Sequence, residues 1–128
     1  MTTWLVFADA DLAKAVPKAM WSVLGNAGQD CCARSRLLIQ RPIYDEFIQQ
    51  LTQQFQSLHL GHPLDDHTEI GVLVSTQQRD RVADYIQIGQ QEGATLICGG
   101  TIPSEQGAYL QPARYAAWGV HAHRPGCA

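Results

Sequence analysis

The sequence is short of charge. Asp, Glu, Lys and Arg make up only 16% of 128 residues, and nine basic against twelve acidic side chains leave a formal charge of −3. That balance supplies no basic field for nucleic acid or an anionic lipid surface, so a small molecule or another protein is the expected partner. Long hydrophobic runs are also missing. The opening residues, MTTWLVFADADLAKA, hold only Trp4 to Ala8 as an apolar stretch, too short for a membrane span, and no basic leader precedes it. The expectation is a cytoplasmic chain with no membrane partner. Cysteine is sparse and unpatterned: Cys31, Cys32, Cys98 and Cys127 form no CxxC pair and no even spacing, which suggests neither a disulfide framework nor a zinc site. Reduced thiols follow. Internal repeats and low-complexity tracts are absent as well.

What is present is an alternation of short β-type runs with longer helical patterns, the mark of α/β architecture. The 45% hydrophobic content is enough for one compact domain or a piece of a larger one. WLVFA (Trp4 to Ala8) reads as a strand. Asp9 or Asp11 is placed to cap the helix that follows, where Leu12, Ala15, Val16, Ala19, Met20, Val23 and Leu24 share a face. Pro17 interrupts that pattern, so a kink, or a helix that begins near Pro17, is expected. SRLLIQ (Ser35 to Gln40) reads as a buried strand ended by Arg41-Pro42. Tyr44, Phe47, Ile48, Leu51, Phe55 and Leu58 then mark an amphipathic helix with its glutamines facing water. HLGHPLDDHTEIG (His59 to Gly71) has the composition of an irregular loop without its own core. A third helix spans about Thr76 to Glu92, with Ser75 and Gln78 at capping-box spacing and Gly93 placed to end it. ATLICGG (Ala94 to Gly100) is the next strand. This order suits a parallel sheet with crossover helices. From Gln106 onward no acidic residue occurs and neither strand nor helix period is sustained, so residues 112–128 are expected to form an irregular tail.

GNAGQDCCARSR (Gly25 to Arg36) poses the chemical question. A thiol attacks a carbonyl only as thiolate, which needs partial exposure and a nearby positive charge, base or helix N-terminus. Cysteine is equally among the most buried residue types, and an adjacent pair feeding a strand can be core filler. The residues alone leave both readings open. His59, His62 and His67 lie in a loop without ligand spacing, and with His121 and His123 they read as solvent-facing side chains; no metal ligand is assigned. Cys98 reads as a buried strand thiol and Cys127 as an exposed one.

VFADADLAKAV followed by NAGQDCCARSRLLIQRPIYDEF resembles the aldehyde dehydrogenase superfamily, whose nucleophile stands in a Gly-Gln-x-Cys context between a helix and a strand. Gly28, Gln29, Asp30 and Cys31 match that pattern position by position, which makes Cys31 the counterpart of the nucleophile and Cys32 its neighbour. The resemblance continues through GHPLDDHTEIGVLVSTQQRDRVADYIQIGQQEGATLICGG, covers about Val6 to Gly100, and fades near GAYLQPA. It implies part of an aldehyde dehydrogenase-like catalytic domain over residues 1–111, incomplete and followed by the 112–128 tail. The implied chemistry is attack of a Cys31 thiolate on an aldehyde, hydride transfer from the thiohemiacetal to NAD or NADP, and hydrolysis of the thioester. The resemblance places the Cys31 backbone N–H and an asparagine at the oxyanion and a glutamate at the water. Neither side chain has a counterpart in these residues, and Asn26 matches no such position. The glycine-bearing turn that holds the pyrophosphate is likewise without a counterpart. Gln78 and Arg81 fall where some members approach the cofactor ribose, although Gln78 also serves the Ser75 cap and Arg81 reads equally as a solvated charge. Two functional classes are therefore expected: an NAD(P)-dependent aldehyde oxidation through Cys31, inactive in this chain alone, or a non-catalytic remnant or interaction module from a truncated or frameshifted gene. Strands left as apolar edges lead to the further expectation of self-association.

Overall fold

The computed structural model describes residues 3–104 and 106–116. Strand β1 (Thr3–Val6), helix α1 (Leu12–Leu24), strand β2 (Arg36–Ile39) and helix α2 (Tyr44–Ser57) come first, followed by helix α3 (Thr76–Gln91), strand β3 (Leu96–Cys98) and strand β4 (Arg114–Tyr115). The result is a small α/β unit built on a parallel strand pair. β1 and β2 run parallel with Thr3 opposite Arg36, Trp4 opposite Leu37, Leu5 opposite Leu38 and Val6 opposite Ile39. A parallel pair needs a crossover, and α1 provides it. Strand alternation sends Trp4, Val6, Leu37 and Ile39 to one face. There they pack with Val16, Ala19, Met20 and Leu24 of α1 and with Phe47 and Leu51 of α2, which form the core. The other face stays open, with Leu5 63% and Leu38 53% exposed.

Helix α1 begins at Leu12, not near Pro17. Its N-cap is Asp11, whose carbonyl accepts from Lys14 and Ala15, while the carboxylate makes no cap bond and pairs with Lys14 at 3.0 Å. Pro17 lies inside the helix. A proline there costs about 3 kcal/mol. Full burial of Val16 and Ala19 and near-full burial of Met20 and Leu24 on the same helix offset that loss. Helix α2 follows a short 3-10 turn at Arg41–Ile43, and Asp45 and Glu46 in its first turn complement the positive end of its dipole. Helix α3 has the cap its sequence calls for: Ser75 Oγ accepts the Gln78 N–H at 3.1 Å, and Gly93 takes a left-handed φ of 92° just beyond the end.

Two departures from the sequence expectations concern the later segments. Among the described residues, β3 does not join the parallel pair; it runs antiparallel to β4, with Leu96 opposite Tyr115 and Cys98 opposite Arg114. Arg114 and Tyr115, expected in an irregular tail, thus belong to a strand. Gly99 and Gly100, at φ 74° and 78°, turn the chain so that the Gly100 N–H meets the Gln111 carbonyl and the Gln111 N–H meets that of Thr101. A side chain on Gly99 would collide with the carbonyl of Pro112. A two-residue strand has no periodicity to read, which is why the pattern missed it. The loop after α2 is irregular as expected, yet it sends one residue inward: Ile70, bridged to Leu60, is 2% exposed and joins the main core. Among the described residues, no helix is long and apolar enough to cross a membrane.

Candidate functional site

The cysteine pair stands on a turn built almost entirely from polar contacts. After α1, the chain passes through Gly25–Gly28 with Asn26 at φ 52°, Ala27 at φ 54° and Gly28 at φ 77°. Left-handed backbone at a residue with a Cβ costs about 1–2 kcal/mol, and here two such residues are consecutive. A reciprocal clamp holds them. The Asn26 amide donates to the Gln29 carbonyl at 3.1 Å, and the Gln29 amide donates to the Asn26 carbonyl at 3.3 Å, which also accepts the Gln29 N–H. The side-chain oxygen of Gln29 is used as well, accepting the Val74 N–H at 2.8 Å. Gln29 therefore ties the cysteine turn to the segment leading into α3.

Asp30 to Ala33 form the next turn. The Ala33 N–H donates to the Asp30 carbonyl at 3.1 Å, the Asp30 Oδ1 accepts the Cys32 N–H at 2.9 Å, and the Arg34 N–H returns to Ser22 of α1 at 3.0 Å. Aspartate is favoured at the first position of such a turn because its side chain caps the backbone two residues on. Cys31 and Cys32 occupy the two central positions. Both are exposed, with their sulfurs 3.8 Å apart. Exposure removes the core-filler reading that the residues alone had left open. Among the described residues, no acceptor meets the Cys31 N–H, whereas that of Cys32 is taken by Asp30. A free N–H beside a thiol is the donor an oxyanion needs.

Gln78 and Arg81 separate in the structure. Gln78 is half-buried and lines a cavity of about 270 Å³ together with Gly28, Gln29, Ile70 and Ile86. It thus borders the stem of the cysteine turn. Arg81 is exposed. The buried cation of α3 is Arg79, which sequence reading passed over. Its Nη1 donates to the Gly107 carbonyl at 2.9 Å, and its Nε and Nη2 reach Asp80 Oδ1 at 2.8 and 2.7 Å. The signal was there: Arg79, Val82 and Ile86 share one helical face, and a cation on an otherwise apolar stripe needs partners.

Arg114 was missed too. It is 8% exposed, donates from Nη1 to the Ile48 carbonyl at 3.3 Å, and leaves Nε and Nη2 buried without acceptors. Burial lowers its pKa, against the opposing pull of Cys98 and Tyr44. Half-buried Cys98, opposite it in the strand pair, is pushed up by burial and drawn back by the Arg114 charge. Tyr115, whose hydroxyl donates to the Ile86 carbonyl at 2.8 Å, is also raised by burial. His59, His62 and His67 are exposed and, among the described residues, do not converge into a metal-ligand cluster. His121, His123 and Cys127 lie outside the described residues.

The aldehyde dehydrogenase family model matches residues 2–117, which carries the likeness past residue 111 and through β4. Mitochondrial aldehyde dehydrogenase of Homo sapiens is 41% identical over 108 residues, covering 84% of this chain and 21% of that protein. Betaine aldehyde dehydrogenase of Mesorhizobium japonicum is 42% identical over 103 residues, covering 80% and 21%. Among solved structures, an NAD+ complex of aldehyde dehydrogenase from Bacillus cereus superposes with a TM-score of 0.85 at 34% identity, over 89% of this chain and 23% of that one. The chain spans between a fifth and a quarter of the length of these relatives. With the fold, the cysteine turn and the sequence likeness in agreement, the chain belongs to the aldehyde dehydrogenase family.

Proposed function

We propose that this chain carries the nucleophile segment of an NAD(P)-dependent aldehyde oxidation, with Cys31 as the attacking group. The observation that carries the reading is the turn itself: an exposed thiol at its second position, a backbone N–H beside it with no acceptor among the described residues, and a neighbouring N–H already engaged by Asp30. Attack of the Cys31 thiolate on an aldehyde carbon forms a C–S bond and places negative charge on the oxygen, within reach of the Cys31 N–H. A bound NAD or NADP would supply the hydride acceptor for the thiohemiacetal, and water would release the acid from the Cys31 thioester. Of the cofactor candidates, Gln78 is favoured over Arg81 because it borders the cavity under the cysteine turn. The activating glutamate, the oxyanion asparagine and the pyrophosphate turn have no counterpart in these 128 residues, so the chain alone binds the dinucleotide poorly and does not turn over. A cytoplasmic location belongs to the same reading.

Reaction with an activated ester tests the assignment. Acylation located by mass spectrometry should fall on Cys31 well ahead of Cys32, and Cys31→Ser should abolish the fast phase; equal labelling of the two would remove Cys31 from the role. Incubation with short aldehydes and NAD+ or NADP+ should give no reduced cofactor from this chain alone. One observation favours the second reading, a non-catalytic module that associates with itself. Leu5 and Leu38 form an exposed apolar pair on the open sheet face, with exposed Phe7 next to them.

A further inference from the structure

We propose that the Asp30-Cys31-Cys32 turn is a chelating site for a thiophilic divalent cation of the size of zinc, bound through two thiolate sulfurs and one carboxylate oxygen. One ligand atom from each of the three side chains lies within 4.8 Å of the others. The sulfur pair fits more closely than proximity requires. Two sulfurs each about 2.3 Å from a tetrahedral zinc stand about 3.8 Å apart, and the Cys31 and Cys32 sulfurs are already 3.8 Å apart. They form one edge of the coordination tetrahedron without backbone movement.

The carboxylate is prepared in the same sense. Asp30 Oδ1 accepts the Cys32 N–H, which fixes the plane of the group and leaves Oδ2 for the metal, as hydrogen bonds behind a ligating carboxylate commonly do. The Ala33 to Asp30 turn bond and the four Gln29 bonds hold the backbone that presents these ligands. All three residues are exposed, so the fourth position opens to water or an added ligand. Soft thiolates select zinc over magnesium or calcium. Residue spacing gave no hint of this, since adjacent cysteines are not a zinc-ligand spacing; the turn makes them neighbours in the required geometry. On binding, each thiol releases its proton to water, and two metal–sulfur bonds and one metal–oxygen bond replace three bonds to water. Nothing is oxidised or reduced. The metal binding stands independently of the catalytic reading. One consequence rests on that reading: an occupied site consumes the Cys31 thiolate and is an off state of the oxidation.

The test uses the full chain with Cys98→Ser and Cys127→Ser, which leaves Cys31 and Cys32 as its only thiols, kept reduced and checked for folding by circular dichroism beside the unaltered chain. Cobalt(II) titration should produce sulfur-to-metal charge-transfer absorption that saturates at one equivalent, with two protons released per metal. One equivalent of zinc should bleach it, because zinc binds such ligands more tightly than cobalt. Asp30→Asn, which keeps the acceptor for the Cys32 N–H, should weaken binding on the order of tenfold. Cys32→Ser should remove the saturable absorption. The proposal is overturned by an absence of charge-transfer absorption in folded protein, by saturation at half an equivalent, which marks a metal shared between two chains, or by binding that Cys32→Ser or Asp30→Asn leaves unchanged.

Discussion

The chain before Leu58 and the chain after it are held by different forces. In the first part, Val6, Val16, Ala19, Met20, Leu24, Phe47 and Leu51 bury apolar surface in one cluster, to which, among the described residues, the later part adds buried Ile70 and half-buried Leu60. The second part buries Ile86 and Ala108 beside two arginines, Arg79 and Arg114, and relies on side-chain to backbone hydrogen bonds to hold its loops. The contrast teaches where sequence change is tolerated. A hydrophobic cluster loses stability in proportion to what is removed, whereas a buried polar arrangement depends on whether each group keeps a partner. The cysteine turn lies at the seam, anchored to α1 through Arg34 and Ser22 and to the lead-in of α3 through Gln29 and Val74.

Phe47→Ala is the sharpest way to break the first part. Its ring is fully buried at the centre of the cluster, so truncation removes the transfer energy of the ring and leaves a cavity, a loss of about 3–5 kcal/mol. Loss of the cooperative transition in chemical denaturation is the expected result. A shift under about 1 kcal/mol would mean that the cluster does not carry the fold.

Arg114→Met should act in the opposite direction. Arginine at this position buries two nitrogens without acceptors, and methionine fills similar volume without that cost. The Ile48 carbonyl is not stranded by the change, because it also accepts the Thr52 hydroxyl at 2.7 Å. Stability should rise by about 1 kcal/mol, read as a higher urea midpoint at unchanged slope. A destabilised variant would show that the guanidinium is held by something stronger than its single bond to Ile48.

The same contrast governs what was legible in the sequence. Wherever burial imposed a period, the pattern told: α1, α2 and β2 lie within a residue or two of expectation, and the Ser75 cap on α3 is made as its spacing indicated. The Gly-Gln-x-Cys stretch points by resemblance to Cys31 over Cys32, and in the turn the two differ in that the Cys32 N–H is occupied by Asp30. Contacts between distant segments escaped. The bond from Val74 to Gln29 spans 45 residues and that from Arg114 to Ile48 spans 66, and neither leaves a periodic trace. At α1 the Asp11 cap and the face from Leu12 mark the start correctly, and the alternative start near Pro17 fails because the burial of Val16, Ala19, Met20 and Leu24 offsets the local proline penalty. Of the paired expectation at Gln78 and Arg81, spacing along a helix could not say which of them borders the cavity.

The smallest effect expected is a pH dependence confined to the second part of the chain. Burial raises the pKa of both Cys98 and Tyr115, so the folded state holds these protons more tightly than the unfolded state does. The stability they contribute is fully present below the ordinary thiol value of 9.0 and is lost as pH rises through the raised values in the folded chain. Urea midpoints should therefore be flat near neutrality and fall above about pH 9. Tyr115→Phe should lower the midpoint at every pH by removing the bond to the Ile86 carbonyl, and should also flatten the decline at the alkaline end, because phenylalanine has no proton to lose. Arg114→Met makes the test specific. The arginine charge partly restrains the rise at Cys98, so its removal should steepen the first phase of the decline and leave the Tyr115 phase in place. A midpoint that fell equally in wild type, Tyr115→Phe and Arg114→Met would place the titrating groups outside this corner, and with them the distinction between the two parts of the chain.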